Sequence, residues 1–79
     1  MTKETIRIQL LEIFKTVFEN PNIEINDTTT AKDIEEWDSI NHIQLVVQIE
    51  TFFKIKFSSK EILSWNTVGH MIDSILNKL

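Results

Sequence analysis

Apolar residues recur at helical spacing in three stretches of this chain. The first covers residues 4 to 19, the second runs from about Ser39 to Phe53, and the third follows Thr67. Spacings of three and four residues are typical of amphipathic helices. Asn20-Pro21 should end the first helix, because proline disfavours helix in the residue before it. The apolar positions are Ile6, Leu10, Ile13, Phe14 and Val17 in the first helix, and Val68, Met71, Ile72, Ile75, Leu76 and Leu79 in the last.

The segments between these stretches have signals of their own. Residues 20 to 37 form a long connection, with a short helical turn expected near residues 30 to 35. A connection of this length in a small domain is often functional. Ser58 and Glu61 have capping-box spacing and predict a short helix that runs through about Ser64. The fold class predicted for residues 1–79 is therefore a single all-α domain, a bundle of three longer helices and a short third helix.

The second helix is unusual in its apolar content. Its apolar side chains spread over most of the helix circumference, and the one uncharged polar arc consists of Asn41, Gln44, Gln48 and Thr51. Such a helix is either heavily buried or uses part of its surface to dock partners. Trp37 and Trp65 flank the central helical region, and we expect both to be packing residues at the ends of elements.

Composition and charge narrow the function classes. The chain has 79 residues, 12 of them acidic and 8 basic, for a net charge of −4. A helical nucleic-acid binder is disfavoured, because such proteins usually show a basic patch. The chain also contains no cysteine, so any thiol chemistry requires a thiol that the sequence does not encode. No apolar run approaches membrane-spanning length, so we expect a cytoplasmic monomer with no membrane insertion.

The junction Asp38-Ser39 is the strongest candidate for chemistry. Asp38 is a good N-cap for the second helix, and Ser39 would lie in its exposed first turn. One interpretation is a simple cap pair. The other is an attachment point, because a helix N-terminus is a favourable place for a phosphate group. The repulsion from Asp38 argues against tight binding of a free anion there.

Catalysis and metal binding are not predicted. His42 follows Ser39 by three residues, but a hydrolase also needs a group to orient the base and an oxyanion hole. The chain has a single glycine and no Gly-x-Ser-x-Gly elbow. His42 is therefore interpreted as a helix-surface histidine near whatever Ser39 carries. His42 and His70 show no ligand spacing.

At these residues the chain resembles the acyl carrier protein family, which includes peptidyl and D-alanyl carriers. The resemblance covers essentially the whole chain, and the family's Asp-Ser-Leu motif stands here as Asp38-Ser39-Ile40. It implies that Ser39 is esterified with 4′-phosphopantetheine, which a Mg²⁺-dependent phosphopantetheinyl transferase takes from coenzyme A. Acyl or aminoacyl cargo would then be carried as a thioester. It further implies that Asp38 assists recognition by the transferase, and that the protein is a carrier and not an enzyme.

One departure from the family pattern concerns the partners. Fatty-acid carriers of the family usually show several carboxylates on the second helix, whereas the only acids from Asp38 to Phe53 here are Asp38 and Glu50. We therefore predict a dedicated carrier for a specialised pathway, served by its own acyl or aminoacyl ligase and acyltransferase. The Trp65-Asn66-Thr67 segment is similar to D-alanyl carriers. The predicted partner-docking residues are Ile40, Asn41, Gln44, Glu35 and Glu36.

An alternative function belongs to another class. The same second helix could dock an amphipathic partner in a small helical interaction domain that is never modified. The attachment of a prosthetic arm to Ser39 separates the two functions.

Overall fold

A computed structural model describes residues 2–79 and shows an all-helical chain, with no strand in that range. The helices pack as the predicted bundle, with α1 against both α2 and α4. A 3₁₀ turn, Ala31–Asp33, interrupts the long connection between α1 and α2, as the sequence predicts. The helices are α1 Lys3–Val17, α2 Ser39–Phe53, α3 Ser59–Leu63 and α4 Val68–Lys78.

The first helix is displaced slightly from its predicted bounds. It begins at Lys3 because the Thr2 side chain caps it by accepting from the backbone N–H of Thr5. It ends two residues before the predicted boundary at residue 19. Glu19 takes a left-handed backbone conformation with φ of 52°, and the N–H of Asn20 donates to the carbonyl of Lys15 at 3.1 Å. This turn satisfies a helix-terminal carbonyl before the proline is reached.

The core lies between α1, α2 and α4, and anchors from the connections complete it. The side chain of Phe14 is fully buried and meets Trp37 edge to face, with ring centroids 5.1 Å apart. Ile23 and Ile34, in the long connection, are also buried. The predicted helix faces are confirmed by the buried core, which includes Ile6, Leu10, Ile13, Phe14, Leu45, Ile49, Phe53, Val68, Met71, Ile72 and Ile75. Val17 and Leu76 are partly buried, whereas the prediction for Leu79 is wrong, because it follows the end of α4 and is 52 % exposed.

The long connection is fastened to the N-terminus of α4. The backbone N–H groups of Val68 and Gly69 donate to the carbonyls of Thr29 and Asp27, each at 2.9 Å. A Cβ atom on Gly69 would lie 2.8 Å from the Asp27 oxygen, so glycine permits this close approach. Thr67 caps α4, since its side chain accepts from the backbone N–H of His70.

Candidate functional site

The start of α2 has the geometry predicted for a capped helix. Asp38 is extended, and its Oδ1 accepts from the backbone N–H of Asn41 at 2.8 Å. Within residues 2–79, the backbone N–H groups of Ser39 and Ile40 donate to no other residue. The end of the helix therefore keeps two free donors beside its positive dipole.

Ser39 is accessible at this end of the helix. It is the first residue of α2, its side chain is exposed, and no hydrogen bond within the described range uses its hydroxyl. The cap role falls on Asp38 alone, so the Ser39 oxygen has no structural task in the fold. A hydroxyl in this position is free to be modified.

An open cleft of about 590 Å³ borders Ser39. The long connection, the first turn of α2 and the segment before α4 all contribute to its walls. Its only charged lining side chain, among the residues described, is Asp38. The lining residues are Ala31, Trp37, Asp38, Ser39, His42, Ile43 and Trp65.

His42 is held in this cleft by Trp37. The indole Nε1–H of Trp37 donates to Nδ1 of His42 at 2.9 Å, and the two ring planes are inclined by 22° with centroids 6.0 Å apart. Burial lowers the pKa of His42 below its usual value. The ring is therefore neutral near pH 7, with Nδ1 as an acceptor and the proton on Nε2. The sequence had placed this histidine on the helix surface, whereas the structure half-buries it.

Trp65 closes the other side of the cleft. Its ring meets His42 edge to face at 6.4 Å and Phe57 at 4.8 Å. Its indole Nε1–H donates to Oγ of Ser74 at 2.8 Å, which ties the wall of the cleft to α4. Trp37 and Trp65 both pack against the core, as predicted, and both also face the cleft.

Four acidic residues, Asp33, Glu35, Glu36 and Asp38, precede Ser39, and three of them accept hydrogen bonds within the chain. The carboxylate of Asp33 accepts from the N–H of Thr30 at 2.9 Å, and that of Glu36 accepts from the Asn20 side chain at 2.8 Å. Asp38 serves as the cap of α2. Three of these acids therefore shape the connection.

The predicted docking residues divide into two groups. Ile40, Gln44 and Glu35 are exposed, and Ile40 keeps 70 % of its surface accessible. Asn41 and Glu36 are half-buried, and the Asn41 side chain donates to the Glu36 carbonyl at 2.8 Å. The exposed group is thus available to a partner, whereas Asn41 and Glu36 also brace the entry to α2.

An apolar stripe continues along α2 from the site. Ile40, Ile43 and Val47 are 70, 65 and 52 % exposed, and they follow one another at helical spacing. The buried side of the same helix carries Leu45, Val46, Ile49 and Phe53. One part of the wide apolar surface predicted for this helix therefore packs in the core, and the other part is exposed to solvent.

No group of three or more histidine, cysteine or acidic side chains in residues 2–79 is placed to hold a metal ion. None of the helices in that range is both long and apolar enough to cross a membrane.

Comparison with known proteins identifies the family. The family described as "Phosphopantetheine attachment site" matches residues 9–75. The chain belongs to this acyl carrier family. The solution NMR structure of holo acyl carrier protein from Geobacter metallireducens is similar, with 37 % identity and a TM-score of 0.84. That match covers 89 % of this chain and 80 % of the other. No curated protein sequence matches the chain significantly.

The cofactor of this acyl carrier family member is covalently bound 4′-phosphopantetheine. The start of α2 fits that group chemically. It offers an exposed hydroxyl on Ser39, unpaired backbone donors for a phosphate and a cleft with aromatic walls for the arm. The resemblance to acyl carriers is thereby confirmed at the level of family, fold and cofactor.

The cleft itself was not predicted from the sequence. Asp38 and Ser39 were found through helix-cap chemistry, which is local. The contact between Trp37 and His42, and their approach to Trp65, depend on how the connections fold over α2. The position of His42 one helical turn after Ser39 was the only local signal of its place near the site.

Proposed function

We propose that Ser39 carries the 4′-phosphopantetheine arm and that the protein is a carrier rather than an enzyme. The observation that supports this most strongly is the exposed, unbonded Ser39 hydroxyl at the open N-terminus of α2, within the family match over residues 9–75. The arm supplies a thiol, which this chain lacks. Acyl or aminoacyl intermediates would be carried on that thiol as thioesters.

Loading requires little from the carrier itself. Oγ of Ser39 attacks the phosphorus atom that bears the pantetheine in coenzyme A, and the new O–P bond replaces the bond to adenosine 3′,5′-bisphosphate, which leaves. The hydroxyl proton passes to the phosphopantetheinyl transferase, which supplies Mg²⁺ and the base. Asp38 holds the helix end in place through its cap and offers its carboxylate edge for recognition by the transferase.

Intact-mass analysis tests the attachment site. The chain is incubated with coenzyme A and a phosphopantetheinyl transferase, and a single added arm is expected. Ser39→Ala should lose the addition completely. Ser59→Ala is the matched control, because Ser59 is also an exposed first residue of a capped helix and lies outside the cleft. Modification of Ser39→Ala would contradict the assignment, and no addition to the wild type with several transferases would favour the unmodified interaction domain.

We further propose that the enzymes served belong to a specialised pathway and dock on an apolar surface. The stripe of Ile40, Ile43 and Val47 starts one residue after Ser39, and no charged residue occurs between Ser39 and Ile49. Partners would meet this stripe with apolar side chains, and the exposed Gln44 follows Ile43 directly on the same helix. A dedicated ligase for an acyl or aminoacyl group, and an acyltransferase that accepts it, are the expected partners.

The salt dependence of transfer tests this docking mode. Salt screens exposed charge pairs but leaves apolar contacts intact. The rate at which the cognate ligase transfers its acyl or aminoacyl group to the holo protein should therefore fall little between low and moderate ionic strength. Ile40→Ser should lower the rate, whereas Gln48→Ser, at another exposed position of α2, should not. A steep loss of rate with salt in the wild type would show that charge pairs dominate docking.

A further inference from the structure

We propose that His42 binds the arm, donating a hydrogen bond from its Nε2–H to a phosphodiester oxygen on Ser39. This inference rests on the proposed attachment at Ser39. It gives the cleft a specific polar contact next to the point where the arm begins. His42 is then a positioning residue, because it orients the arm and takes no part in bond formation.

The first step is the tautomer. Since the Trp37 indole donates to Nδ1 of His42 at 2.9 Å, Nδ1 must act as the acceptor. In a neutral imidazole the proton then sits on Nε2. Within residues 2–79, Nε2 makes no hydrogen bond, and it is not among the buried atoms that lack partners. It is therefore a donor without a protein partner in that range, and it is not fully buried.

The second step is reach. Residues three positions apart on a helix are neighbours on its surface, about 5–6 Å apart at Cβ. Helical side chains also tilt towards the N-terminus, so His42 leans towards the turn that contains Ser39. Both residues line the same cleft. A phosphate on the Ser39 oxygen would extend the anionic oxygens into the space between them.

The third step is the balance of charge. A phosphodiester on Ser39 would carry a negative charge one residue after the Asp38 carboxylate, and no cationic side chain lines this cleft among the described residues. The backbone N–H groups of Ser39 and Ile40 offer two donors to such a group. His42 would add a third donor, and the contacts of its ring with Trp37 and Trp65 hold it in the cleft.

Phosphorus NMR of the holo protein tests this contact. Mass spectrometry first verifies one arm on each variant, so failure of the attachment proposal is recognised separately. The ³¹P resonance should move in His42→Phe, which keeps an aromatic ring but no donor. His42→Gln should keep the resonance near its wild-type position, because its amide can accept from Trp37 and donate to the phosphate.

The matched control is His70→Phe. His70 also has an engaged Nδ1, which accepts from the backbone N–H of Asn66 at 3.1 Å, but it lies outside the cleft. Its substitution should leave the ³¹P resonance unchanged. In ¹⁵N spectra of the wild type, Nε2 of His42 should shift between the apo and holo proteins. An unchanged ³¹P resonance in a fully modified, folded His42→Phe would overturn the inference, as would equal shifts in His42→Phe and His70→Phe.

Discussion

The N-termini of α2 and α4 have the same kind of side-chain cap but differ in the partners of their first two backbone N–H groups. Each has a side-chain cap on its third backbone N–H, from Asp38 in α2 and from Thr67 in α4. In α4 the first two N–H groups donate to loop carbonyls, each at 2.9 Å. In α2 the first two N–H groups have no partner among the described residues. The protein therefore seals one helix end and leaves the other open.

The difference indicates that the N-terminus of α4 has a structural role and that the N-terminus of α2 is available for function. The sealed end of α4 anchors the long connection, which in turn places Trp37 and the entry to α2. We propose that the open end of α2 receives the prosthetic arm, at Ser39. An open end alone is not enough, because α1 and α3 also leave their first two N–H groups without partners in residues 2–79. Ser39 is distinguished by the aromatic cleft beside it.

The largest effect is expected from disturbing the sealed end with Gly69→Ala. Alanine is the better helix former by about 1 kcal/mol. Its Cβ would nevertheless lie 2.8 Å from the backbone oxygen of Asp27, so the connection must shift or lose its bonds to α4. Overpacking of this kind typically costs about 1–3 kcal/mol. Because the gain in helix propensity offsets part of this cost, urea denaturation should show a net loss of up to about 2 kcal/mol of unfolding free energy.

A second alanine in the same helix controls for helix propensity. Asn77 is exposed near the end of α4, away from the connection, so Asn77→Ala should leave the unfolding free energy unchanged or slightly raised. A Gly69→Ala protein that is as stable as Asn77→Ala would show that the connection yields at no cost. The anchoring role of the sealed end would then be wrong.

The caps of the two helices give the next largest effect. Asp38→Ala and Thr67→Ala each remove one side-chain acceptor, and loss of a cap costs about 1 kcal/mol. Asp38→Asn should keep most of the stability, because asparagine caps as well as aspartate. Thermal or urea unfolding measures these differences.

Loading by the transferase then distinguishes the two ends. Thr67→Ala should be modified at the wild-type rate when the protein is folded, because its cap lies on the sealed end. Asp38→Asn should be modified more slowly, since it retains the cap and loses the carboxylate. If Asp38→Asn is modified as fast as the wild type, Asp38 acts only as a cap and its role in recognition is refuted.

The open end could be predicted from the sequence, whereas the sealed end could not. The starts of α2 and α3 follow from local cap chemistry at Asp38 and at Ser58, which the structure confirms. The role of Gly69 depends on Asp27, which is distant in sequence. No periodicity or cap signal encodes such a contact. The hydrogen bond of Glu36 could not be predicted for the same reason, because its partner Asn20 lies at the other end of the long connection.

The smallest effect concerns His42, whose ring borders the open end. Burial lowers its pKa in the folded protein below the unfolded value of about 6.5. The unfolded chain therefore binds a proton more readily at slightly acid pH, and the stability from neutral His42 is lost as the pH falls through that range. In urea titrations from pH 7 downwards, His42→Phe should show a shallower initial decline than the wild type. Glu61 affects the unfolding free energy at lower pH, because hydrogen bonds from the Ser58 backbone and Lys78 lower its pKa. Glu61→Gln should therefore flatten only the more acidic part of the plot of unfolding free energy against pH. The unfolding free energy of the wild type and of His42→Phe could instead fall with the same slope between pH 7 and the pH at which Glu61 begins to titrate. That result would show that the His42 ring is solvated in the folded protein and is not a half-buried part of the cleft wall.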